Sequence, residues 1–126
     1  MGYRITPHGG HAVEVLSGPN NGYLFSVLEG GVLSETMTQK AWAGGRWEKL
    51  EVEPMGDVPN PTYDVWLVPN PTGPQDVVRT RGMTVFRVEH GAACFYQGTS
   101  LVLAFGVGFW YSVRQHRAER SSRDHA

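Results

Sequence analysis

The chain has 126 residues, of which 40% are hydrophobic and 18% charged, with a formal net charge of −1. That is the size and balance of a single domain able to bury its own core. Its 16 glycines and 8 prolines exclude long helices and suit short strands joined by turns, while the lone Cys94 excludes an internal disulfide framework or a cysteine-built metal site.

The opening MGYRITPHGG lacks the apolar core of a secretory signal. It reads as the start of a cytoplasmic protein or of a subunit of an intracellularly assembled particle. His8 and His11 stand three apart on a glycine-rich segment, a spacing a metal can use. No HExxH or CxxC supplies a third ligand, and the alternative is a flexible loop. HAVEVL (11–16) and YLFSVL (23–28) read as strands, each closed by a turn cluster.

Residues 32–42, VLSETMTQKAW, admit two readings. Ser34 could open a short helix with Glu35 favouring its dipole, whereas Thr36 and Thr38 favour a strand, which we adopt. WEKLEVE (47–53) sets Leu50 and Val52 against Lys49, Glu51 and Glu53, the period-two pattern of a half-exposed strand.

VPNPT occurs at 58–62 and again at 68–72. Proline fixes φ, removes a donor and pushes its predecessor towards extended backbone. The two copies therefore read as punctuation around a strand over 63–67. MTVFRVEH (83–90) places Thr84, Phe86 and Val88 on one face and Arg87 and Glu89 on the other. AACFY follows, then a turn at Gln97-Gly98-Thr99. In LVLAFGVGFWYSVR (101–114) large side chains recur at every second position from Leu101 to Val113. Gly106 and Gly108 mark either a bend or a hairpin that splits the run. At 13 residues, Leu101–Val113 is too short to cross a bilayer as a helix.

The expected fold is all-β: a small barrel or sandwich of about eight short strands, with at most one short helix and a polar C-terminal tail. The domain spans 1–113 and the tail 114–126. Arg114, Arg117, Arg120 and Arg123 recur at spacing three in that tail and suit a partner surface. Residues 1–76 carry nine acids and four bases (−5), and residues 77–126 three acids and seven bases (+4). Such asymmetry favours association, unless charges of both signs meet in the fold.

No nucleophile elbow, P-loop or dinucleotide fingerprint is present, and Cys94, within a strand, reads as a small buried hydrophobe. GAACFYQGTSLVLAFG (91–106) resembles the late strand–turn–strand of small bacterial cyclophilin-like barrels, where an aromatic pair and a glycine turn precede an apolar strand ending in aromatic-Gly. MTVFRVEHGAACFYQGTSL (83–101) is similar to late strands of cupin-like barrels such as the ureidoglycolate lyases. The resemblance implies a barrel. It implies no catalytic histidine, because Thr99-Ser100-Leu101-Val102 stands where those enzymes carry their histidine motif.

Two functions remain as expectations. The first is a non-catalytic binding or assembly subunit, as of a virion or similar oligomeric particle. It would meet copies of itself or other protein subunits through aromatic patches and the charged tail, with no cofactor and no membrane. Nucleic acid fits it poorly, since the domain is not basic overall and no aromatic interleaves with the tail arginines. The second is a small-molecule-binding cupin-like or cyclophilin-like barrel, a lyase or isomerase. Its pocket would be lined by Trp66, Phe86, Tyr96 and Trp110, with Arg87 or Glu89 as the polar group.

Overall fold

The computed structural model describes residues 2–9, 14–17, 24–37, 39–53, 56, 58–59, 61–68 and 77–116, with the backbone alone for 14–17 and 53. Twelve strands and one 3₁₀ turn (Glu29–Gly31) make up this part of the chain. In order they are β1 (Gly2–Pro7), β2 (Glu14–Ser17), β3 (Phe25–Leu28), β4 (Val32–Glu35), β5 (Lys40–Trp42), β6 (Trp47–Glu53), β7 (Thr62–Leu67), β8 (Val77–Arg79), β9 (Val85–Glu89), β10 (Ala92–Gln97), β11 (Ser100–Phe105) and β12 (Trp110–His116).

Every pairing is antiparallel. A six-stranded sheet runs β2-β1-β6-β11-β10-β9, and two three-stranded sheets run β12-β7-β8 and β3-β4-β5. The register shows how they stack. Ile5, Leu50, Ala104 and Cys94 share one face of the large sheet, and Phe95, Leu103 and Phe105 share the other.

Tyr3, on the first face, meets Phe25 of β3 edge-on at 5.1 Å. Tyr63 of β7 meets Phe95, on the second face, at 5.3 Å. The small sheets thus cover opposite faces of the large one, a three-layer sandwich. Double cover explains why β10 and β11 are buried on both faces, from Ala92 to Phe95 and from Leu101 to Phe105.

The all-β expectation holds, and its sandwich form is the one found. No ring of strands closes among the described residues, so the barrel is corrected to three open sheets, and about eight strands to twelve. β1, unassigned by the sequence reading, alternates buried Tyr3 and Ile5 with exposed Arg4. Within 32–42, Val32–Glu35 and Lys40–Trp42 pair as the β4–β5 hairpin. The strand expected over 63–67 is found as β7, with Pro61 of the first VPNPT copy before it and Val68, which opens the second, after it; the rest of the second copy lies outside the described residues. No helix among the described residues is long and apolar enough to cross a membrane.

The long apolar run divides at Gly106. A Cβ there would run into the backbone carbonyl of Trp47, so only glycine lets the chain pass this close. Phe109 N–H then donates to Gly106 C=O at 3.1 Å, and the chain leaves the large sheet for β12. A register shift opposite Glu48 lets Trp47 turn into the core. There its Nε1 donates to Gly31 C=O at 3.0 Å.

Candidate functional site

The β9–β10 hairpin brings together three of the expected site residues. Its loop is His90-Gly91, and both have positive φ (52° and 85°), as a type I′ turn requires. Strand alternation then puts Arg87, Glu89, Cys94 and Tyr96 on one face. Tyr96 Oη donates to Glu89 Oε1 at 2.5 Å, and the Arg87 guanidinium lies 5.8 Å from the Tyr96 ring centroid. Burial first, and then the hydrogen bond to Glu89, push the Tyr96 phenol above its ordinary range.

Cys94 is fully buried beneath this bridge. Burial, reinforced by the negative charge of Glu89, pushes its thiol well up. A buried thiol held protonated is no nucleophile at neutral pH. The cluster as a whole consists of groups that satisfy one another: a phenol donor, a carboxylate acceptor and a stacked guanidinium.

Phe86 lies on the opposite face, stacked on Phe95 at 4.9 Å and against Tyr63 at 5.6 Å. It is partly buried and packs against the core. Trp66 lies in the other layer, with the Arg114 guanidinium 5.3 Å from its ring centroid. Beside it, Arg79 Nε and Nη2 donate to the two oxygens of Asp64 at 2.8 and 3.3 Å. That bond, with the charges of Arg79, His116 and Arg114, holds the Asp64 carboxyl below its usual range against its burial.

This pair joins the acidic and basic halves of the chain, so charges of both signs do meet here. Trp110 is half-buried, and its Nε1 donates to Gly91 C=O at 3.1 Å, tying β12 to the hairpin loop. The four aromatics expected around one pocket therefore occupy three separate settings.

His8 sits in the turn after β1, its ring 5.3 Å from Phe109 and its Nδ1 3.8 Å from Glu48 Oε2. His11, the other half of the expected metal pair, lies outside the described residues. Among those residues no three His, Cys, Asp or Glu side chains are grouped to hold a metal. Arg114 belongs to β12, which runs on to His116 past the expected boundary at 113. Arg117, Arg120 and Arg123 lie outside the described residues.

Two small clefts separate the large sheet from β12-β7-β8. One, of about 90 Å³, is lined by Lys49, Glu51, Arg79, Thr80, Arg81 and Leu103 among others. The other, of about 110 Å³, lies between Thr6, Glu48, Lys49, Leu67, Phe105 and Phe109. Both are well below the roughly 300 Å³ at which drug-sized ligand pockets begin.

The strand edges carry apolar side chains that no sequence motif marks. Val88 on β9 and Tyr111 on β12 are each 56% exposed, Val77 on β8 is 49% exposed and Leu28 on β3 is 47% exposed. Each of these strands ends its sheet. Strand order creates the pattern, and no spacing in the sequence reveals it.

Comparison with protein-family models, curated proteins and solved structures finds no match to this chain.

Proposed function

We propose that the protein is a non-catalytic binding and assembly subunit that meets copies of itself or other protein subunits along its sheet edges. The observation that carries this reading is the exposure of Val88, Tyr111, Val77 and Leu28 on end strands of all three sheets. An edge strand is a template for pairing. Charge, proline or cover usually blunts such an edge in a soluble monomer, and these edges expose apolar side chains beside their charged ones.

The chemistry-bearing groups supply a second support by being engaged inside the fold. Cys94 is buried and protonated, Tyr96 bonds Glu89, and Arg79 bonds Asp64.

Native mass spectrometry and light scattering over a concentration series test the reading. Expected is a defined oligomer that grows in population with concentration. A strict monomer at the highest attainable concentration, with no protein retained as partner, removes it.

A further inference from the structure

We propose that the outer edge of β9 pairs antiparallel with the same edge of a second copy, about a two-fold axis passing through Val88. This rests on the assembly reading above and names the surface used.

The hairpin decides which backbone groups are available. In a two-residue loop the closing pair, here Glu89 and Ala92, is hydrogen-bonded, and bonded and non-bonded pairs then alternate. With the observed register of Glu89↔Ala92, Arg87↔Cys94 and Val85↔Tyr96, the N–H and C=O groups of Glu89, Arg87 and Val85 turn towards β10. The N–H of Thr84 also reaches Tyr96 C=O at 2.7 Å, so residues 84 and 85 share one partner and the parity is kept. The groups of Phe86 and Val88 therefore point outward. Among the described residues nothing hydrogen-bonds to them, and β9 ends its sheet.

Parity leaves three symmetric or near-central registers, and charge chooses among them. Setting Phe86 against Val88 of the partner would place Arg87 directly opposite the partner's Arg87, a like-charge contact that destabilises a strand pair. Setting Phe86 against its own copy places Arg87 opposite an apolar Val85. Setting Val88 against its own copy places Arg87 opposite Glu89 of the partner, and Glu89 opposite the partner's Arg87.

These two ion pairs fall at non-hydrogen-bonded positions, where opposing Cα atoms lie only about 4.5 Å apart. The two Val88 side chains, 56% exposed in the single chain, cover each other on the opposite face. The interface is isologous and closes on itself. It joins two six-stranded sheets into one continuous sheet.

A cysteine at the axis reports the geometry directly. Facing Cα atoms in a hydrogen-bonded pair lie about 5.5 Å apart, within disulfide range, and Cys94 is buried out of reach. Under mild oxidation Val88→Cys should form a covalent dimer, while Val77→Cys on the edge of β8 should not. Mixing gives a second, independent readout. Arg87→Glu and Glu89→Arg should each lose self-association at least several-fold, since each sets like charges across the axis. Combined, they should form a heterodimer visible by native mass spectrometry.

Oligomerisation without a Val88→Cys crosslink and without the heterodimer overturns this surface and leaves the assembly reading standing. A strict monomer overturns both. Capture of a different protein at β9, with no self-pairing, also overturns the proposal.

Discussion

Tyr96 Oη and Glu89 Oε1 lie 2.5 Å apart, and between them on the same face of the hairpin stands Cys94. The side chains lean towards each other along the strands and close over the thiol. Tyr96→Phe should therefore lower stability by about 1 kcal/mol, the usual worth of one such bond at a half-exposed site. The pH dependence has a definite sign. The folded phenol titrates above the ordinary value of about 10. Its contribution is complete below pH 10 and is lost as pH rises towards the folded value. Denaturant midpoints measured from neutral to alkaline pH should fall for the native chain, and less steeply for Tyr96→Phe. Parallel curves would refute the assignment.

The same cover predicts the behaviour of Cys94. Native protein should be nearly inert to a water-soluble aromatic disulfide at pH 8, and should react fully once unfolded. Either Tyr96→Phe or Glu89→Ala opens the cover. Each loss of about 1 kcal/mol in local stability raises the rate of reaction through opening roughly fivefold. Fast, stoichiometric labelling of the native chain would contradict a buried thiol.

What could be read from the sequence depended on how local its cause was. WEKLEVE became β6 with Leu50 and Val52 buried, as its alternation required, because one face of a half-covered strand writes itself into spacing. Arg87 and Glu89 shared a face for the same reason. Glycine spacing near 106 signalled an interruption, but the choice between bend and split was tertiary. It turns on how closely Gly106 passes the Trp47 carbonyl. The separation of Trp110 from Phe86 and Tyr96 follows from that split, since β12 leaves for a different sheet from β11. Phe86 and Val88 have identical parity, yet one is partly buried against the core and the other exposed. The cover given by β7 extends to Phe86 through Tyr63, and no pattern within β9 encodes where that cover ends.

Asp64 and Arg79 predict an acid limb of the stability curve. Bonded to the guanidinium, the Asp64 carboxyl titrates below its ordinary value of about 3.9. The stabilisation is present above pH 4 and is lost as pH falls through the lower, folded value. Asp64→Asn should lower the thermal midpoint at pH 7 and narrow the gap between pH 7 and pH 3. Because Arg79 is exposed, added salt should weaken the effect. An acid limb unchanged in Asp64→Asn would mean that other carboxylates carry it.

Glu35 gives the sharpest test of the small β3-β4-β5 sheet. It ends β4 fully buried, and its Oε2 accepts from Leu24 N–H at 2.8 Å and from Met37 N–H at 3.0 Å. One oxygen thus ties the entry of β3 to the loop that joins β4 to β5. Glu35→Ala removes the acceptor from both amides in a region with little water and should cost about 2–3 kcal/mol. Glu35→Gln keeps a carbonyl oxygen able to reach the same place. It should therefore cost less than Glu35→Ala. Hydrogen exchange separates this from a general loss of stability. In Glu35→Ala the Met37 amide should exchange faster than amides of β10, whose protection follows global unfolding. Equal acceleration at Met37 and in β10 would show that Glu35 supports the whole core, and an unchanged Met37 amide would remove the carboxylate from its proposed role.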